Sequence, residues 1–130
     1  MDQREKVQFN EQLRDRTMNM AVEVRNVLKS IETNSIDKPI VNQLIRSSTS
    51  VAANYRSATR GRSDAEFYSK ICIVVEESDE TKFWFDYLLR VRVLNEDETK
   101  PLQNEIEQLV RLFSSIKKKM KEKIEKNGKV

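Results

Sequence analysis

The chain has 130 residues, with 24 Lys and Arg against 21 Asp and Glu, no histidine, one cysteine, two glycines and two prolines. That is the length of one domain and enough to bury a core, while the scarcity of Gly and Pro implies long elements joined by short links. A formal charge of +3 permits an anionic partner without demanding one, and the lone Cys72 excludes an internal disulfide and fits a reducing compartment.

A single domain over residues 1–130 is expected, ordered over about 10–125 with frayed termini. The first predicted helix covers about 10–32, where Leu13, Thr17, Met20, Val24, Val27 or Leu28, and Ile31 recur at steps of three and four. Asn10 is its expected cap, and the polar run Thr33–Asp37 ends it. Pro39 suits the opening turn of a second helix over about 38–60, with Ser35 or Asp37 as cap. Its upper half is large and apolar, and its lower half is a seam of Ser47, Ser48, Ser50, Ala52, Ala53, Ser57 and Ala58 that allows close backbone approach. Gly61 then provides the conformational freedom for a reversal, and Ser63 with Glu66 forms a capping box that restarts the chain.

The third predicted helix, about 64–94, is expected to be the longest. Ile71-Cys-Ile-Val-Val75 and Phe83-Trp-Phe85 carry its apolar character around the whole cylinder, so it needs cover from more than its own bundle. A subunit interface through Phe83, Trp84 and Tyr87 is the expected cover, with deeper burial within one chain as the alternative. Cys72, inside the first of these runs, is expected to be a buried structural thiol. A fourth helix over about 98–125, with Asp97 or Thr99 as cap and Pro101 in its first turn, keeps Leu102, Ile106, Leu109, Phe113, Ile116, Met120 and Ile124 in register. Lysines at 117, 118, 119, 121, 123 and 126 crowd its end, where cations suit the helix dipole. Four striped helices with short links predict an all-α, antiparallel up-down-up-down four-helix bundle.

Little in this pattern carries chemistry. Di-metal bundles pair glutamates with Glu-x-x-His motifs, and there is no histidine here. No Gly-rich phosphate loop or nucleophile elbow is present either. Neither an enzyme, a cofactor nor a metal site is expected. Folding the second helix back on the third brings Arg46 near Glu76, Glu77 and Glu80, an expected charge network between the two, and sets Asn54 against Ser69 and Lys70 as an expected interhelical hydrogen-bonding residue. Arg56, Arg60 and Arg62 crowd the corner. They either pair with Asp64, Glu66 or the acids of another subunit, or face the phosphates of RNA or DNA, whereas Lys117, Lys118 and Lys121 form either a solvated terminus that suits the helix dipole or a phosphate-contacting patch. No run approaches the roughly 18 apolar residues of a membrane span, so no membrane association is expected and a cytoplasmic location is.

Three stretches resemble one known family: Ser50 and Asn54; Arg62, Ser63, Glu66 and Phe67; and Glu76, Glu77, Asp79, Glu80, Phe83 and Trp84. These match the Ser-x-x-x-Asn, Arg-Ser-x-x-Glu-Phe and Glu-Glu-x-Asp-Glu-x-x-Phe-Trp elements of the bacterial four-helix bundle proteins encoded by intervening sequences of large ribosomal RNA genes, which are often labelled ribosomal-protein-like. The resemblance spans about residues 10–120. It implies a left-handed antiparallel bundle that assembles as a homopentameric ring without catalytic residues. A related branch, the accessory proteins of diversity-generating retroelements, implies binding of nucleic acid and of a reverse transcriptase through basic surface. The expected function is therefore a non-enzymatic, self-associating scaffold or nucleic-acid-binding module, with a purely structural or protein-binding oligomer as the alternative.

Overall fold

The computed structural model describes residues 1–128. Within them the chain forms four helices, α1 (Gln3–Lys29), α2 (Lys38–Ala58), α3 (Asp64–Arg90) and α4 (Lys100–Asn127). They run up, down, up and down, each packed on its chain neighbour. The α2–α3 pair makes the most extensive contact and α1–α4 the least. No helix among the described residues is long and apolar enough to cross a membrane.

The core follows the predicted stripes. Leu13, Thr17 and Val24 of α1, Leu44, Val51 and Tyr55 of α2, Ile71, Val74, Phe85 and Leu88 of α3, and Leu109 and Phe113 of α4 are all fully buried. Tyr55 and Phe113 meet across the centre with ring centroids 5.4 Å apart, and the Tyr55 hydroxyl donates to Asn10 Oδ1 at 3.2 Å. The small seam splits: Ser47, Ser48, Ala52 and Ala58 are buried, whereas Ala53 and Ser57 face outward. Hydroxyls inside the bundle are all paired. Thr81 Oγ1 and Ser47 Oγ hydrogen-bond at 2.9 Å between α3 and α2, and Thr17 bonds back to the carbonyls of Leu13 and Arg14. Among the described residues no buried side-chain polar atom lacks a partner.

Several boundaries differ from expectation, each for a local reason. α1 begins at Gln3, because Asp2 Oδ1 accepts from Glu5 N at 2.9 Å and caps it; Asn10 is no cap and sits mid-helix against Tyr55. The N-terminal stretch is thus helical rather than frayed, while the expected fraying of 127–130 falls partly outside the described residues. α2 and α4 have Asp37 and Thr99 at their cap positions, but neither side chain makes a capping bond. The preceding asparagines brace the linking turns instead: Asn34 Oδ1 accepts from Ile36 N and Asp37 N, and Asn95 Oδ1 accepts from Glu98 N. α3 stops at Arg90, short of 94, so that α4 with 28 residues exceeds it by one.

The stop of α3 is a Schellman turn, with Val93 N bonded to Leu88 O at 2.9 Å and Arg92 N to Leu89 O at 3.1 Å. This motif needs a left-handed residue, and Arg92 supplies it at φ 63°. The corner after α2 needs none: Gly61 has no positive φ, contrary to the expected use of its conformational freedom. Its role is spatial, since a Cβ there would sit 3.1 Å from Ala58 O and 3.4 Å from Glu66 Cβ.

Two outcomes are expected from this geometry. Arg92→Gly should raise stability by about 1 kcal/mol, because a left-handed conformation costs a side chain about that much; thermal melting reads it, and a lower midpoint would contradict the strain. Burial, opposed by the nearby Arg14 charge, pushes the Tyr55 phenol up to about 12. The unfolded phenol ionises from about pH 10 and the folded one does not, so this group's contribution is intact below pH 10 and is lost as pH climbs toward 12. Tyr55→Phe should cost about 1 kcal/mol at neutral pH through the lost hydrogen bond, yet lose stability less steeply across that alkaline window in denaturant titrations.

Candidate functional site

The corner between α2 and α3 is built from its own backbone. Ser63 Oγ accepts from Glu66 N at 3.1 Å, and Glu66 Oε2 reaches back to accept from Arg62 N at 2.6 Å, closing the capping pair one residue before the cap. Asn54 donates to Ser50 O and Ser50 Oγ, both at 2.9 Å. It therefore braces its own helix and makes no bond to Ser69 or Lys70, contrary to expectation: at a half-buried position, its amide is satisfied one turn back.

With Glu66 engaged by backbone and Asp64 by Lys123 Nζ at 3.3 Å, the corner acids do not neutralise the corner arginines. Arg56, Arg60 and Arg62 are exposed and form no ion pair among the described residues. Their expected pairing with Asp64 or Glu66 is absent because both carboxylates are already committed. The Lys123–Asp64 contact also ties the last turns of α4 to the first turn of α3. The lysine-rich end of α4 thus shares one end of the bundle with the arginine corner. Lys118 and Lys121 are exposed there and Lys117 is half-buried; none of the three forms an ion pair among the described residues. Unpaired cations in water are cheap to hold and strongly attractive to phosphate.

Midway along the bundle Arg46 of α2 crosses to α3, bonding Glu80 and lying 3.3 Å from Glu77 Oε2. Glu76, expected in this network, points away and is exposed; one residue earlier is 100° around the helix, off the α2 seam. Glu80 also accepts from Trp84 Nε1 at 3.0 Å. The indole N–H, helped by the Arg46 guanidinium, holds the Glu80 carboxyl below the usual carboxylate range against the opposing pull of burial.

Trp84 is the inner member of an aromatic group on the outer side of α3. Phe83 packs edge-on against it at 4.9 Å and Tyr87 at 6.5 Å, and Phe83 remains 57% exposed and Tyr87 39%. A shallow groove of about 590 Å³ runs beside them, lined also by Asp86, Arg90, Glu96 and Gln103. The apolar run at 71–75 does not close over either. Cys72, Ile73 and Val75 are only half-buried, so the expected burial of the thiol is not met, because just two positions of that run face the core.

Sequence reasoning missed two features. Arg16 joins α1 to α4 through Glu105, with Nη2 to Oε1 at 2.6 Å, along the otherwise loosest seam. Met18 and Val22 of α1 and Ile45 of α2 are exposed; their signal was their place one step off the core stripe.

The family model for the 23S rRNA-intervening sequence protein matches residues 9–115, most of the bundle. The chain belongs to this family. The matched range takes in both the self-capped corner and the charge-and-indole cluster on α3. Among solved structures it is similar to a protein of unknown function from the S23 ribosomal protein family of Bacteroides thetaiotaomicron, at 26% identity, 84% coverage of this chain and 97% of that one, with a TM-score of 0.71. A comparison with curated proteins finds no match.

The Glu80 cluster gives this family member an optical handle. Because the folded carboxyl lies below the ordinary value of 4.5, its contribution is present above that value and is lost as pH falls through the depressed one. Fluorescence of Trp84, the only tryptophan, should shift in that acidic window while helical circular dichroism persists. The same titration of Glu80→Gln should be flat; a shift of equal size there would detach the indole from Glu80.

Proposed function

We propose that this protein is a non-enzymatic, self-associating helical scaffold that holds the phosphate backbone of RNA or DNA at its basic end. The observation that carries the reading is the unpaired state of Arg56, Arg60 and Arg62, beside an α4 terminus whose lysines at 117, 118 and 121 are likewise free among the described residues. Arg56 stands in the last turn of α2 and Arg60 and Arg62 follow on the link to α3, a row that suits successive phosphates rather than a base edge. Nothing in the bundle offers a general base beside a nucleophile, which supports a binding role. Self-association is supported by Phe83 and Tyr87, large aromatic side chains left exposed beside Trp84. A ring of subunits, a homopentamer by family resemblance, would gather several basic ends and multiply a weak contact.

The second reading is an oligomer that serves only as a protein-binding or structural module. It rests on the same aromatic face and gives the basic end no ligand.

Anisotropy of a labelled single-stranded RNA, titrated at several salt concentrations, separates the two. On the first reading affinity falls linearly on a log–log plot, and Arg56→Ala with Arg60→Ala lowers the slope by about 1 to 1.5, since each single-strand phosphate contact contributes about 0.7. Absence of binding at low salt, or a slope unchanged in the double variant, would favour the second.

A further inference from the structure

Arg14 of α1 is a half-buried arginine that pairs with no carboxylate among the described residues. Acids were within its reach: Glu11 stands three residues back on the same helix and is exposed, a step at which helical side chains meet. The side chain instead crosses to the end of α2, where Nη1 donates to Thr59 Oγ1 at 2.9 Å. That acceptor is itself fixed, because the Thr59 hydroxyl donates to Arg56 O at 2.8 Å. A guanidinium carries five N–H donors, and a bond to one neutral hydroxyl leaves its charge uncompensated. Arg14 is thus held in place without being neutralised.

Thr59 stands between Arg56 and Arg60, so the contact brings Arg14 to the arginine corner from the α1 side. The charges that face it are few. From Lys38 to Ser63 the chain has no Asp or Glu, so α2 presents no acid to this flank. The corner carboxylates of Asp64 and Glu66 are engaged by Lys123 and by the Arg62 backbone. Of the α1 acids, Asp15 lies 100° round the helix from Arg14, and Glu11 alone is one turn toward the corner on the neighbouring face. One carboxylate therefore opposes Arg14, Arg56, Arg60 and Arg62.

We infer that Arg14 is a fourth arginine of the phosphate site, positioned in advance by Thr59, and that the nucleic-acid backbone crosses the α1–α2 edge of the corner. This inference rests on the phosphate reading proposed above and adds a contact from a helix which that reading leaves out. The advantage is entropic. An exposed arginine loses rotamer freedom when it settles on a phosphate, whereas a guanidinium already held by Thr59 has lost that freedom on folding, so its contact is made at lower cost.

Anisotropy of a labelled single-stranded RNA, titrated at several salt concentrations, is measured for the wild-type chain and for Arg14→Gln, Thr59→Val, Glu11→Gln and Arg25→Gln, with circular dichroism and thermal melting to verify each fold. Arg14→Gln should lower the log–log slope by about 0.7, the share of one single-strand phosphate contact. Thr59→Val keeps the charge and should keep the slope, yet bind more weakly at every salt concentration because the guanidinium is no longer held. Glu11→Gln should bind more tightly at low salt. Arg25→Gln makes the same charge change about 16 Å farther along α1, at an exposed residue without an ion pair among the described residues, and should leave the slope as it is. An unchanged slope in Arg14→Gln, with Arg56→Ala plus Arg60→Ala still lowering it, would make Arg14 a tie between helices and overturn the inference while the phosphate reading stands. An equal drop in Arg25→Gln would overturn it as well, by reducing the effect to net charge. A wild-type chain without salt-dependent binding would instead remove the reading on which it rests.

Discussion

The structure depends on the close packing of α2 against α3. Where these helices meet, the facing residues are small or hydroxylated: Ser47 and Thr81 share a hydrogen bond at 2.9 Å with both side chains buried. A pair of leucines there would push the axes apart, and a single hydroxyl would leave an unpaired polar group at a cost of about 1 to 3 kcal/mol. Two hydroxyls that satisfy each other, and that also lie within reach of the backbone one turn back, allow approach without that penalty. Arg46 then spans the outer edge of the same seam to Glu77 and Glu80. With the Arg46 side chain half exposed, its part is to set register more than to add stability.

Both candidate surfaces hang from this pair. At one end the chain must reverse within five residues, from Thr59 to Ser63, and the reversal uses the carboxylate of Glu66 on backbone and leaves three arginines without intramolecular partners. Midway along the bundle Glu80, held by Arg46, receives the Trp84 indole and so orients the ring against which Phe83 and Tyr87 pack. The residues that make the hairpin rigid are thus the ones that shape what it presents to other molecules.

The bundle and its stripes were legible because periodicity is a direct projection of burial: the positions from Leu13 to Leu28, from Leu102 to Phe113 and on α3 from Ile71 to Leu88 face the core as their spacing requires. Ends were less legible. Asp2 caps α1 from a stretch with no apolar stripe of its own, and Arg92 occupies a left-handed position that composition assigns to glycine. Arg46 could be paired with Glu77 and Glu80 by counting residues across the turn, but counting cannot give side-chain direction, and so Glu76 and Asn54 were misassigned. Exposed apolar residues such as Met18 and Val22 were invisible for a related reason: a helix with one clear stripe draws attention to that stripe, and these residues lie one step off it.

Charge ties the two surfaces together. Residues 63–96, which include the face at Phe83, carry eight acids and four bases, whereas the last two turns of α4 and the corner are basic. A bundle with opposite signs at different heights disfavours stacking in identical register only where like charges face each other across water, and that penalty acts within a Debye length of about 8 Å at physiological salt. In the self-association proposed above, the basic ends of neighbouring subunits would repel wherever they came within that distance. A polyanion laid across them would replace repulsion by attraction and favour the assembled form over the free subunit. By linkage, assembly would then strengthen polyanion binding by the same factor.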